Sequence, residues 1–106
     1  MDYNRREAAE AKRIGAKLHK NSGRGMVKGD MSNDDFVIDA KFANKTFTIS
    51  RNVWGKICTD ALKQDSSKSP MLLLIVGEPP IRLAVVEYDV LEDLMEKAGN
   101  DIMDED

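Results

Sequence analysis

A continuous apolar run late in the chain constrains the fold more than any other feature. Residues 71–76 are Met-Leu-Leu-Leu-Ile-Val, with no polar side chain among them. Such a run is typical of a strand that is buried on both faces of a sheet. Before it, residues 51–64 have apolar side chains at helical spacing, and residues 35–42 have the alternation of a strand. We therefore predict a strand, a crossover helix and a parallel strand within a mixed α/β sheet.

The remaining segments predict the element order α-β-β-β-β-α-β-β-α. Ser50 is a favourable N-cap for the helix over residues 51–64. Glycines mark two helix ends, Gly15 after a helix over residues 4–14 and Gly99 after a helix from Asp89 to about Lys97. Further strands are predicted over residues 16–20, 30–32, 46–49 and 81–87. Residues 1–99 are predicted to form one domain, and residues 100–106 a disordered acidic tail.

Charge is distributed unevenly along the chain. The net charge is −3, but residues 1–29 carry eight Lys and Arg against three acids, whereas residues 77–106 carry two against ten. A basic N-terminal third can bind phosphates even in an acidic protein, because binding depends on the local patch. No run approaches the roughly 20 apolar residues of a membrane span, so we expect no membrane partner. The single Cys58 cannot form an internal disulfide, which favours a reducing cytoplasm.

Two carboxylates and a lysine are spaced as a divalent metal site would require. Asp30 opens a predicted strand, and Asp39 and Lys41 lie inside the next predicted strand. Carboxylate oxygens suit Mg²⁺, and a lysine supplies a point charge to a phosphate or to an attacking water. The alternative is an ordinary solvent-facing pair, in which Lys41 neutralises Asp39 on the same face of the strand.

Two other segments also allow a functional and an ordinary interpretation. In the first helix, Glu7 and Glu10 share a stripe with Ile14, and an acid that faces the core needs a partner or a function. A surface pair of Glu10 with Arg13 is the alternative. Residues 21–25, Asn-Ser-Gly-Arg-Gly, combine small residues with hydrogen-bond donors that suit a phosphate, or they form an ordinary flexible loop.

Four segments in this order resemble the PD-(D/E)xK nuclease superfamily: Ala9–Gly15, Ser22-Gly23, Lys28–Asp30 and Ile38–Lys41. Within it, the chain is similar to the small Holliday junction resolvases of archaea and phages. The resemblance covers about residues 5–76. It implies a restriction-endonuclease-like fold, with helices on both sides of a mixed central sheet. It also implies a Mg²⁺-dependent endonuclease that hydrolyses phosphodiesters of branched DNA, in the cytoplasm of a prokaryotic or phage-infected cell.

The resemblance implies a role for each matching residue. Asp30 and Asp39 would be the principal metal ligands, the backbone carbonyl of Ala40 a further ligand, and Lys41 the residue that positions the attacking water. Glu10 would be the helix acid that completes the site, with Glu7 as the alternative.

The chain departs from the family pattern at two positions. Gly29 precedes Asp30 where the family has Pro, and Asp39 replaces the commoner and longer Glu. Neither departure removes a ligand type. Mg²⁺ is the expected metal, with Mn²⁺ possible, and the number of ions per site, one or two, stays open.

The expected partners are DNA and a second copy of the chain. A four-way junction needs paired cuts, which a chain with one site would make as a two-fold dimer. The apolar C-terminal helix is a candidate interface. Two alternatives stay open: a nuclease of the same fold that acts on other DNA structures or ends, and a non-cleaving DNA-binding or adaptor domain. The residues expected to bind DNA are Lys20, Ser22, Arg24, Lys28, Lys45 and Arg51.

Overall fold

The structure, a computed structural model, describes residues 3–18 and 31–103. These residues form three helices and five strands in the order α-β-β-β-α-β-β-α. The helices are α1 (Tyr3–Ile14), α2 (Arg51–Gln64) and α3 (Tyr88–Met103). The strands are β1 (Lys17–Leu18), β2 (Met31–Ser32), β3 (Phe36–Ala43), β4 (Ser69–Val76) and β5 (Ile81–Val85).

The strands form one mixed sheet in sequence order, β1-β2-β3-β4-β5. β3 and β4 are parallel, with a register that runs from Phe36 opposite Ser69 to Ala43 opposite Val76. The other neighbours, β1 with β2, β2 with β3 and β4 with β5, are antiparallel. α2 makes the crossover between β3 and β4, which confirms the predicted mixed α/β arrangement.

The sheet has a core on each face. On one face, Ala11 of α1 packs with Ile38 and Ala40 of β3 and with Leu73 and Ile75 of β4. On the other face, Ile57 of α2 packs with Leu72 and Leu74 of β4. Successive residues of β4 thus enter opposite cores, as strand alternation requires. The prediction that this apolar run is buried on both sides is confirmed.

The predicted strand at residues 46–49 is wrong. These residues have no regular secondary structure, and Phe47 packs into the core under α2 instead. A hairpin partner would need an edge of β3, but β4 pairs with one edge over its whole length, and β2 pairs with Val37 and Ile38 on the other. Leu62 belongs to the apolar spacing of residues 51–64, which predicts that it faces the core, yet 59% of it is exposed, because the buried residues of α2 end at Ala61.

The two glycines predicted to end helices behave differently. Gly15 has φ 70°, a left-handed conformation that ends α1 as expected. Gly99 lies inside α3, which continues to Met103, so the predicted helix end at Gly99 is wrong. A glycine within a helix costs about 1 kcal/mol relative to alanine, which weakens a helix without ending it. Residues 104–106 lie outside the described residues.

The cap of α2 gives a stability prediction. The Ser50 hydroxyl accepts a hydrogen bond from the Val53 backbone N–H at 3.1 Å, as its predicted N-cap role requires. Ser50→Ala should lower the free energy of unfolding by about 1 kcal/mol, measured by urea denaturation at unchanged m-value. Thr48→Ala, which removes a hydroxyl from an exposed position in the same loop, is the control. Equal stability of the two variants would contradict the cap.

Candidate functional site

Asp39 and Lys41 lie side by side on β3. Ile38 and Ala40 pack toward α1, so Asp39 and Lys41, which alternate with them, point to the face that α2 covers. The Lys41 Nζ lies 3.4 Å from Asp39 Oδ1. The Asp39 side chain is 15% exposed and the Lys41 side chain 45% exposed. The carboxylate is therefore largely withdrawn from water, while its lysine partner still reaches the solvent.

The surroundings of Asp39 distinguish it from an ordinary surface acid. In the parallel ladder, Asp39 is opposite Leu72 and Lys41 is opposite Leu74, both buried. Withdrawing a carboxylate into apolar surroundings costs free energy unless charge or hydrogen bonds compensate. Asp39 and Lys41 are in contact on the same face, as the alternative interpretation predicts. That interpretation also places the pair in the solvent, however, and Asp39 is only 15% exposed. β3 thus places the carboxylate of Asp39 next to buried apolar side chains.

The second predicted metal ligand, Asp30, lies outside the described residues, as do Lys20, Ser22, Arg24 and Lys28. The residue bonded to Asp30 is described: Met31 of β2 is fully buried and pairs with Ile38, the residue bonded to Asp39. Within residues 3–18 and 31–103, no group of three or more His, Cys, Asp or Glu side chains is arranged to hold a metal. The donors near β3, a carboxylate and the Ala40 backbone, are hard oxygens of the type that suits Mg²⁺.

Glu10 is buried in α1, and Arg82 of β5 binds both of its carboxylate oxygens. The Arg82 Nε lies 3.0 Å from Oε1, and Nη2 lies 2.9 Å from Oε2. This bidentate geometry is the strong form of an Arg–carboxylate contact. The hydrogen bonds that Arg82 donates to the Glu10 carboxylate raise the pKa of Arg82 above its usual value. Arg13, the partner expected for a surface pair, approaches only to 3.9 Å.

This contact places Glu10 on the opposite side of the sheet from Asp39. Arg82 is opposite Ile75 in the antiparallel ladder, and Ile75 belongs to the core under α1. Asp39 points toward α2, so the expectation that Glu10 completes a site with Asp39 is not met in this structure. Glu7 lies on the same helix, over the same face as Glu10. The physical reason is that α1 packs on Ile38 and Ala40, the side chains that alternate with Asp39.

Arg82 is the residue that sequence reasoning missed. It lies between Ile81 and Leu83 in a short apolar strand, where an arginine on one face is unusual. That pattern could have indicated a buried acid partner. It could not have identified Glu10, which is 72 residues away in the sequence.

Two of the residues expected to bind DNA are described. Lys45 follows β3, Arg51 begins α2, and both are exposed. Lys45 and Arg6 line a cavity of about 350 Å³ at the carboxyl ends of β3 and β4. The Arg6 guanidinium lies over the Phe42 ring, 4.1 Å from its centroid. Lys45 and Arg6 thus lie at the carboxyl ends of the parallel strands β3 and β4, the edge where ligands usually bind in such sheets.

Comparison of the chain with models of protein families, with curated proteins and with solved structures finds no match. Among the helices of the described residues, none has both the length and the apolar character needed to cross a bilayer.

Removing the charge of Glu10 should have opposite effects on stability in two cases: when Glu10 pairs with Arg82, and when it shares a site with other acids. If Glu10 stood among other acids, removing its charge would stabilise the metal-free protein. Because Arg82 binds both oxygens, Glu10→Gln should instead lower the melting temperature in EDTA, by several degrees. Glu96→Gln, an exposed acid of α3, is the matched control. A melting temperature of Glu10→Gln above that of the wild type would contradict the pairing.

Proposed function

We propose that the protein is a Mg²⁺-dependent DNA endonuclease, and that its substrate is branched DNA of the Holliday junction type. The observation that carries the proposal is the largely buried Asp39 carboxylate with Lys41 at 3.4 Å, on one face of a central strand. Keeping such a pair on an apolar strand costs stability, because a largely buried carboxylate loses its hydration, so this acid is a candidate for a functional role.

The order of the elements supports the same assignment. A helix comes first, β2 begins directly after Asp30, and β3 carries Asp39 and Lys41. α2 then crosses to β4, so helices cover both faces of the sheet. This is the arrangement expected for the restriction-endonuclease-like fold that the sequence motifs resemble. The identification of that fold is part of the proposal.

The proposed metal ligands are Asp30, Asp39 and the backbone carbonyl of Ala40. A bound Mg²⁺ would neutralise phosphate charge and lower the pKa of a coordinated water. Lys41 is suited to a role in the reaction, because its side chain is 45% exposed and its ammonium lies 3.4 Å from Asp39. In this proposal Lys41 orients the attacking water and offsets the negative charge that develops in the transition state. Glu10 is assigned a structural role, the attachment of α1 to β5 through Arg82.

Other activities remain as alternatives that the same experiments separate. A nuclease of this fold that acts on other DNA would keep the metal dependence and lose the preference for junctions. A non-cleaving adaptor would bind DNA equally well with Mg²⁺ or EDTA and leave it intact. The pairing of an acid and a lysine on β3 favours cleavage over the binding-only role.

Asp39→Asn tests the metal site. Cleavage should fall by at least about 100-fold, and Mg²⁺ binding measured by calorimetry should be lost. DNA binding should stay equal or become tighter, because one negative charge next to the phosphate is removed. Asp60→Asn is the matched control, since Asp60 pairs with Lys56 on α2 at 3.7 Å and has no proposed role. Full cleavage by Asp39→Asn would end the nuclease assignment at this site.

The substrate is tested by competition between a four-way junction and a linear duplex of equal length, with EDTA present. The junction should bind more tightly, and affinity should fall with salt at a log–log slope of roughly −0.9 per phosphate contact. Replacing Lys45 and Arg51 together by Gln should flatten that slope, whereas Lys63→Gln, exposed near the other end of α2, should not. Equal affinity for both DNAs would remove the junction preference and leave a general nuclease.

A further inference from the structure

The cavity of about 350 Å³ at the carboxyl ends of β3 and β4 is separate from the proposed metal site. Phe42, which lines it, packs against the core under α1, so the cavity lies on the face of the sheet opposite to Asp39. Its size is near the lower end of the roughly 300–1,000 Å³ that is typical of small-ligand sites. We call it the strand-end cavity, and its aromatic, charged and amide side chains are those of Arg6, Phe42, Asn44, Lys45 and Glu78.

Two joined turns form the base of the strand-end cavity. Gly77 has φ 83°, a left-handed conformation that turns the chain directly after β4. Its backbone N–H donates a hydrogen bond to the Ala43 carbonyl at 2.9 Å, which ties this turn to the end of β3. A Cβ on Gly77 would lie 3.6 Å from the Asn44 carbonyl oxygen, so the two turns are in close contact. The central strands therefore hold the backbone that carries Asn44, Lys45 and Glu78.

One part of the cavity wall is a stacked pair of planar groups. The Arg6 guanidinium lies 4.1 Å from the centroid of the Phe42 ring, within the range of a cation–π contact. The half-buried ring packs on the core under α1 and so supports one face of the guanidinium. A guanidinium donates its hydrogen bonds within its own plane, so stacking does not compete with them. Since Arg6 lines the cavity, a second planar group inside it can stack on this side chain, as nucleic-acid bases stack on arginine planes.

The charges around the cavity favour an anion that also carries a hydrogen-bonding ring. Arg6 and Lys45 supply two positive charges and Glu78 one negative charge, a net of +1 among the lining residues. Lys45 is exposed and supplies a point charge of the kind that binds phosphate. Glu78 and Asn44 are also exposed, and their side-chain oxygens can accept hydrogen bonds from the amino group of a base. A simple anion would use the two cations alone and would leave the stacked plane and the acceptors without a role.

We propose that the strand-end cavity binds one nucleotide, with its base stacked on the Arg6 guanidinium and its phosphate at Lys45. Stacking accepts any base, and adenine adds an amino group that can donate to Glu78 and Asn44. The nucleotide has one of two sources, a free mononucleotide or an unpaired nucleotide of a DNA strand. The inference goes beyond the nuclease assignment and does not rest on it, because neither Arg6 nor Phe42 has a role in the proposed cleavage.

Titration of the full chain with dAMP in EDTA, followed by calorimetry and by amide NMR, tests the proposal. The wild type should bind dAMP saturably with a dissociation constant below about 1 mM, and the amide signals of Asn44 and Gly77 should shift. Arg6→Lys keeps the positive charge but removes the plane, so it should weaken binding about tenfold. Arg13→Lys is the matched control: Arg13 is exposed on the same helix and does not line this cavity, so the variant should bind as the wild type does.

Two further ligands separate the parts and the source of the nucleotide. Inorganic phosphate should bind at least about tenfold more weakly than dAMP, because it cannot stack on Arg6. A short single-stranded oligo(dA) identifies the source. Tighter binding of the oligonucleotide than of dAMP, in competition with dAMP, indicates an unpaired nucleotide of a DNA strand. Tighter binding of dAMP indicates a free nucleotide.

Four results would overturn the proposal: no saturable binding of either dAMP or the oligonucleotide, phosphate that binds as tightly as dAMP, unchanged binding by Arg6→Lys, and an equal effect of Arg13→Lys. Circular dichroism shows whether each variant folds. If Arg6→Lys does not fold, the amide shifts of the wild type decide, and shifts at α2 instead of at Asn44 and Gly77 contradict the proposal. No arm measures cleavage, so failure here leaves the nuclease proposal standing, and full cleavage by Asp39→Asn leaves this one standing.

Discussion

The parallel ladder between β3 and β4 is the interaction on which the rest of the structure depends. Leu72 to Ile75 are all buried, and alternate side chains enter opposite cores. Each such side chain contributes roughly 1.5–3 kcal/mol when fully buried. Because β4 must be covered on both faces, α1 has to lie on one side and α2 on the other. The crossover through α2 then fixes β3 beside β4, since a parallel pair needs a long connection.

That ladder also determines where the polar residues of β3 point. The side chains that pack on α1 are Ile38 and Ala40, so Asp39 and Lys41 are left on the α2 face between apolar neighbours. A shift of one residue would exchange the two sets and bury the polar pair under α1. The register that builds the core is therefore the same register that presents Asp39 and Lys41 together. The packing of the core and the placement of Asp39 and Lys41 therefore both depend on the register between β3 and β4.

Local patterns in the sequence predicted the elements that the structure contains, and failed where long-range geometry decides. The apolar run of β4, the Ser50 cap and the Gly15 helix end depend on residues close in sequence, and all three are confirmed. The strand predicted at residues 46–49 failed, because no local pattern reveals that Phe47 packs into the core under α2. The partner of Glu10 was missed for a similar reason, since the fold alone brings Arg82 to it. The closeness of Asp39 to Lys41 needed only strand alternation.

The two acids singled out in the sequence, Asp39 and Glu10, have partners of different kinds. Arg82 holds Glu10 through two short hydrogen bonds in a fixed planar geometry, so releasing this carboxylate would leave both groups poorly paired. Lys41 holds Asp39 at 3.4 Å by a flexible ammonium that is half exposed. Such a contact can lengthen or turn without an equivalent loss, because a lysine is a point charge with no preferred plane. A cation at Asp39 would thus compete with a lysine contact, whereas at Glu10 it would have to displace an arginine. This difference in partners, together with the opposite faces of the sheet, favours Asp39 over Glu10 as an acid of the proposed metal site, whereas Glu10 links α1 to β5 through Arg82.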